Sequence, residues 1–213
     1  MVTKRTALTQ ASGDKPYHHG DLPSALRAAT AGLIAERGPS GFSLREVARR
    51  AGVSHAAPAH HFGDTKGLIT SVATEGLNML ADAMDEATEG VDDPRDRMAA
   101  CGKAYVRTAL EYPGHFGVAF EHDLCDPDNE AYLTASLRAY GTLQDSVALV
   151  RDAVNPDLDT DTMATICWAT MQGLVDLAPG LQDVADRLGG GDAPVEDLID
   201  WFTETMFAGI QPR

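Results

Sequence analysis

The stretch 43–62 limits what this chain can fold into more than any other. Ser43 stands three residues before Glu46, the S-x-x-E spacing of a capping box, in which the serine oxygen and the glutamate carboxylate satisfy free N–H groups reciprocally. Leu44, Val47, Ala48 and Ala51 then recur at helical spacing on one face, with Arg45, Arg49 and Arg50 off it, and Gly52 ends the run. Only Val53 separates Gly52 from Ser54, a second capping residue, so a second short helix is expected over 55–62. Pro58 would be its fourth residue, where it removes the first intrahelical bond. Two short helices joined by a glycine-containing turn match a helix-turn-helix. The small Ala51 and Gly52 let the second helix cross closely. His55, Ala56 and Ala57 are the small or hydrogen-bonding residues that entry into a major groove requires. Ser43, Ser54 and Thr65 each open a helix whose free N–H groups can meet phosphate.

Helical periodicity runs through the rest. Leu22, Leu26, Ala29 and Leu33 predict a helix over 21–37, capped by Asp21 and closed by Gly38. A long helix over 65–87, capped by Asp64 or Thr65, carries Ile69, Val72, Ala73, Leu77, Leu80 and Met84 on one face. Further helices are expected over 94–112, 114–122, 129–154, 160–177 and 195–210, with Pro113 and Pro127 as punctuation and GGGDAP at 189–194 as a mobile loop. No segment alternates as a strand would, so the fold class is all-α. There is no apolar run long enough to span a membrane and no secretory h-region near the N-terminus. The three cysteines, Cys101, Cys125 and Cys167, form no metal or redox motif, as expected of a reduced, cytoplasmic chain.

Charge is distributed unevenly. The 213 residues carry a net −15. Residues 1–70 hold nine Lys and Arg against five acids, while the remainder holds eight against twenty-seven. That pattern describes a basic N-terminal module able to approach an anion and an acidic body that is not. An acidic protein with a basic N-terminus by chance is the plainer alternative.

The segment from PYHHGDL to the start of the 65–87 helix resembles the DNA-binding domain of TetR-family transcriptional regulators over about 60 residues. HHGDL, the HAAP of the second short helix and CWATMQGL around Trp168 resemble a subgroup with a Trp-His-Gly motif in its C-terminal domain. Here Gln172 replaces that histidine. The resemblance implies a flexible basic arm (1–16), a three-helix DNA-binding domain (17–64) and a larger helical body for ligand binding and dimerisation (65–213). It also departs from the family at three points. Ala59 and Thr65 stand where phosphate-contacting Tyr and Lys are usual, and Pro23 stands where a basic residue is common. Phosphate contacts should be fewer than usual, unless the arm Lys4–Lys15 compensates.

On this reading the DNA-binding residues are Ser43, Arg45, Ser54, His55, Ala56, Ala57, His60, His61, Thr65 and Lys66. Adjacent His60 and His61 point about 100° apart on a helix, and His55 to His60 is i, i+5, so neither pair has metal-ligand spacing. No metal or cofactor is expected. An effector cavity would draw on Tyr105, His115, Phe116, Phe120, Tyr140, Trp168, Met171 and Gln172, although aromatic and methionine side chains at this spacing also describe plain core. The partners implied are a double-stranded, palindromic DNA operator, a hydrophobic small-molecule effector and a second copy of the chain. Dimerisation is expected through 160–178 and 195–210, where apolar residues cover more than one helix face. No nucleophile elbow, Walker loop, dinucleotide fingerprint or zincin motif occurs, which argues against an enzyme. The functional reading is a ligand-responsive repressor. The alternative is an all-helical small-molecule-binding protein of the same fold that has lost strong DNA binding.

Overall fold

The computed structural model describes residues 22–121, 123–188 and 195–210, with only the backbone described at 179 and 181–188. Among them the chain forms nine α-helices and no strand: α1 (Leu22–Arg37), α2 (Leu44–Ala51), α3 (Ala57–Phe62), α4 (Thr65–Thr88), α5 (Pro94–Glu111), α6 (Pro113–Ala119), α7 (Glu130–Val154), α8 (Thr160–Leu188) and α9 (Val195–Gly209). The expected arm, the Asp21 cap and the 189–194 loop lie outside the described residues.

The local signals act as chemistry requires. Ser43 Oγ accepts from Glu46 N, and Gly52 closes α2 at φ 70°, a left-handed conformation that favours glycine. Asp64, rather than Thr65, caps α4 by accepting from Gly67 N. Asp93 and Asn129 cap α5 and α7 in the same way.

Three elements differ from expectation. The second short helix begins at Ala57 and not at 55, with Ala56 at its N-cap and no side-chain cap. Pro58 thereby falls in the first turn, where its missing N–H removes no intrahelical bond. The helix expected over 114–122 stops at Ala119. The helix expected to end at 177 continues to Leu188. Its first half is anchored in the core through Met163, Ala164, Cys167 and Met171, and that anchoring carries the backbone past Pro179.

The helices enclose three apolar clusters. Leu26, Ala29, Leu33, Val47 and Leu68 form the core under α1 and α2. Burying each leucine fully contributes about 1.5–3 kcal/mol, so this small cluster suffices to hold α2 and α3 on α1. The largest cluster runs along α4 from Ile69 to Met84 and takes in α5, α6 and α7. A third joins Met98, Val147, Val150, Met163, Ala164, Cys167 and Phe207. Helix α4 serves the first cluster through Leu68 and the second from Ile69 onward, so one continuous helix ties the two ends together.

Helix α6 sits between α1 and α4 at very close range. A Cβ at Gly114 would overlap the carbonyl oxygen of Ala31 on α1, and a Cβ at Gly76 on α4 would lie 2.7 Å from Cβ of His115. His115 Nε2 lies 3.2 Å from Glu75 Oε2, and Glu75 Oε1 accepts from Arg27 Nε of α1 at 2.9 Å. Gly114→Ala should therefore lower stability by about 1–3 kcal/mol, because backbone must move to admit the methyl group. Gly141→Ala, where a Cβ meets open space on α7, should raise it by about 0.5 kcal/mol. Urea denaturation of both variants checks the pair; equal effects would mean that α6 is not packed backbone-to-backbone on α1.

Candidate functional site

Two places on the molecule have the makings of a site. The first is the end formed by α2, α3 and the start of α4. Ser43, Arg45, Ser54, His55, Ala56, Ala59, His60, His61, Thr65 and Lys66 are all exposed there. Ala57 is not: it is 9% exposed and packs inward beneath the surface it was expected to form. With the helix starting at Ala57, Ser54, His55 and Ala56 lie in the turn before it, and Ser54 contributes its backbone carbonyl to Ala57 N rather than a side-chain cap.

The cations of this end divide into two groups. Arg37 pairs with Glu46 at 2.7 Å, Arg50 with Glu36 at 2.7 Å, Arg49 with Glu46 at 3.7 Å and Arg27 with Glu75 at 2.9 Å. The guanidinium of Arg50 holds the Glu36 carboxyl below the usual carboxylate range through their hydrogen bond. Arg45 and Lys66 form no ion pair with any described residue. His60 and His61, on α3 of the same end, are exposed too, and their rings contact each other edge-on with centroids 5.4 Å apart. Unpaired cations, imidazoles and a hydroxyl on one convex end are groups that an anion can reach without breaking anything.

The second place is a cavity of about 310 Å³ in the body. Helix α4 contributes Leu77, Leu80 and Met84, and α5 contributes Tyr105. Ala119 and Phe120 come from the end of α6. Tyr132, Ser136, Leu137, Ala139, Tyr140 and Leu143 come from α7, and Trp168 from α8. Among the described residues no charged side chain lines it. Of the residues expected here, Tyr105, Phe120, Tyr140 and Trp168 meet in its wall. Met171 lies behind it, on a void of about 30 Å³ that shares Met84, Tyr105, Leu143 and Trp168. His115, Phe116 and Gln172 are outside the lining. His115 turns to Glu75, Phe116 packs edge-on against Tyr105 with centroids 5.8 Å apart, and Gln172 takes part in a hydrogen-bond chain. The α4 and α7 residues were legible only as core, because an apolar face beside a void has the same periodicity as one beside a neighbour.

The hydroxyls of the wall are mostly committed. Trp168 Nε1 donates to Tyr105 Oη at 3.2 Å, Tyr105 Oη donates to Gln172 Oε1 at 2.7 Å, and Gln172 Nε2 donates to Asp176 at 3.0 Å. Tyr132 Oη donates to the Ala119 carbonyl and Ser136 Oγ to the Tyr132 carbonyl. Burial pushes the Tyr105 hydroxyl well above the ordinary tyrosine range, against the opposing pull of the Trp168 N–H. Burial likewise raises the thiols of Cys101 and Cys167, to about 11 and about 12, so both stay protonated at neutral pH.

Beyond the cavity, α8 and α9 leave apolar side chains outward: Ile166 is 52% exposed, Leu177 62% and Trp201 66%.

This arrangement has relatives. Residues 26–72 match the family model described as bacterial regulatory proteins of the tetR family, and residues 98–206 match the tetracyclin repressor-like C-terminal domain. The chain belongs to the TetR family. A curated relative, the HTH-type transcriptional regulator BetI of Stenotrophomonas maltophilia, is 34% identical over 73 residues, which span 34% of this chain and 37% of that protein. A solved structure of a protein of unknown function from Rhodococcus sp. RHA1 is 30% identical, covers 93% of this chain and 100% of its own, and superposes with a TM-score of 0.77. The TetR family regulator PfmR of Thermus thermophilus shares the fold at a TM-score of 0.68 and 19% identity, over 88% of this chain and 99% of its own.

The Tyr105 link between α5 and α8 frames the cavity of this TetR-family chain. Tyr105→Phe leaves the Trp168 N–H and the Gln172 carbonyl without their partner and should cost about 1–3 kcal/mol. Chemical denaturation that shows no loss would mean that water replaces the hydroxyl at no cost.

Proposed function

We propose that the chain is a DNA-binding transcriptional regulator, a repressor released by a small molecule that enters the α4–α8 cavity. The observation that carries this reading is the helix-turn-helix end, where Arg45 and Lys66 are exposed and free of ion pairs with the described residues and His60 and His61 of α3 are exposed as well. Helix N-termini and cations of this kind hold DNA by its phosphates, and exposed side chains of α3 and the turn before it face base edges. The −15 net charge would repel DNA from any other surface, so it orients the approach.

A homodimer follows from the outward Ile166, Leu177 and Trp201. A second copy meeting them with the same surface would form a four-helix bundle of α8 and α9. Each subunit should bury about 800 Å² or more, and the two α3 helices should then reach successive major grooves about 34–36 Å apart. The cavity ends at Ala119 and Phe120 of α6, and the other end of α6 rests on α1 through Gly114, so a shift of α6 is the route from ligand to DNA-binding end. Coupling of about 1–3 kcal/mol would change operator affinity roughly 5–150-fold.

A second reading has its own observation. Four of the six described cations among residues 22–70 are spent on internal ion pairs, and Ala59 and Thr65 offer phosphate little, which suits a binding protein that has left DNA behind. A shift assay on the DNA beside its own coding sequence separates the two. Arg45→Ala and Lys66→Ala should each weaken binding to every fragment and reduce the dependence of log affinity on log salt by roughly one. Arg50→Ala should have the smaller effect, since Arg50 is held by Glu36. No salt-dependent shift at low ionic strength, on any such fragment, would favour the second reading.

A further inference from the structure

The charge and hydrogen-bond inventory of the cavity narrows its ligand beyond "hydrophobic". We infer that it takes an uncharged ring compound of about a dozen non-hydrogen atoms carrying one hydrogen-bonding oxygen, which meets the hydroxyl of Tyr140. The inference rests on the cavity being the effector site, as proposed above. Four observations lead to it.

Size comes first. An engineered cavity of about 150 Å³ holds benzene, so about 310 Å³ suits a two-ring compound or a ring with a short chain. Nucleotide-sized ligands do not fit inside it.

Charge comes second. Among the described residues no Lys, Arg, His, Asp or Glu lines the wall. Arg138, on the same helix as the α7 lining residues, is held by Asp82 and Asp85 at 2.6 Å each, so it is not available to an anion at the rim. A carboxylate or an ammonium group would lose its hydration with no counter-charge in reach, and a buried unpaired charge is the costliest group to place.

Wall chemistry comes third. One part of the lining is aromatic, from Tyr105, Phe120, Tyr140 and Trp168; the α4 part is aliphatic, from Leu77, Leu80 and Met84. Phe120 and Trp168 lie 5.2 Å apart between centroids, and Tyr140 and Trp168 6.2 Å apart. A guest ring can join such a set edge-on or offset, which a flexible chain cannot do.

The hydrogen-bonding group comes last. Tyr105, Tyr132, Ser136 and Trp168 each donate their single hydrogen to a protein acceptor. Tyr140 has no hydrogen-bond partner among the described residues, and its hydroxyl is the one donor of the wall left over. Leu137, at the rim and 71% exposed, marks the way in.

The test uses the full chain carrying Trp201→Phe, which leaves Trp168 as the single tryptophan, at the cavity wall. Titration with biphenyl-4-ol should change Trp168 fluorescence saturably. Biphenyl should bind about five-fold more weakly, the worth of one ordinary hydrogen bond. Biphenyl-4-carboxylate and a biphenyl trimethylammonium ion should bind at least ten-fold more weakly than the phenol. Tyr140→Phe should bring the phenol down to the affinity of biphenyl and leave biphenyl unchanged. Either ion binding as well as the phenol, no binding by any of the four, or an equal loss of phenol and biphenyl in Tyr140→Phe would overturn the inference. The unsubstituted chain, titrated with the phenol by calorimetry and run in the DNA shift assay, keeps the two readings apart. DNA binding without uptake of the phenol defeats the ligand assignment alone. Uptake of the phenol without DNA binding defeats the regulator assignment alone.

Discussion

The contact of α6 with α1 is the constraint on which the rest of the structure depends. Gly114 brings the start of α6 onto the backbone of Ala31, and Glu75 of α4 joins Arg27 of α1 to His115 of α6. A seven-residue helix has little stability of its own, so its position is set by what it touches. It touches Ala31 and Ile34 of α1 on one side and closes the cavity with Ala119 and Phe120 at its other end. Close-packed interfaces of this kind move between discrete arrangements rather than deforming smoothly. On the proposed function, a change in the cavity would reach α1 through displacement of α6, while α4 keeps the two ends connected.

Electrostatics divides the labour between the two ends. The N-terminal end spends Arg27, Arg37, Arg49 and Arg50 on holding its own helices and leaves Arg45 and Lys66 outward. The exposed pairs among these contribute little stability each, since water and salt screen them. Their larger effect is to lower the number of cations that an anion can recruit. The body, by contrast, lines its cavity with no charged side chain among the described residues, and ties α4 to α7 at the surface through Asp82 and Asp85 with Arg138. Burial raises the Asp85 carboxyl, and hydrogen bonds from Thr142 and Arg138 more than offset this, leaving it below its ordinary value. The stability it contributes is present above the ordinary carboxylate range and is lost as pH falls through its folded value.

Much of this was legible in the sequence because it is local. The capping box at Ser43, the glycine stop at 52 and the apolar face of α4 follow from spacing and side-chain chemistry within one helix. The start of α3 was not legible in the same way. Ser54 reads as a cap, yet the cost of a proline inside a helix moves the start to Ala57 and turns that residue inward. The end of α8 was missed because burial of its first half outweighs the local signal at Pro179. The cavity was half legible. Tyr105, Phe120, Tyr140 and Trp168 stand out as large aromatics, all but Phe120 with a polar edge. Leu77, Leu80, Met84 and the small α7 residues look like any core, and no periodicity records that atoms are missing between them. His115 and Gln172 have the composition of pocket residues, but each is occupied by a partner, Glu75 and Tyr105, that only the tertiary fold supplies.

If α6 carries the coupling, the state of the cavity is felt at α1. Amide hydrogen exchange on the full chain reads that coupling, comparing the unsubstituted chain with Ala139→Phe, which places a ring in the cavity from α7 and alters no residue of α1 or α6. Changed protection in 113–118 and in 22–37, beyond the cavity-lining segments 77–84, 119–120 and 132–143, is the predicted result. Changes confined to those lining segments, with α1 and α6 exchanging as before, would contradict it.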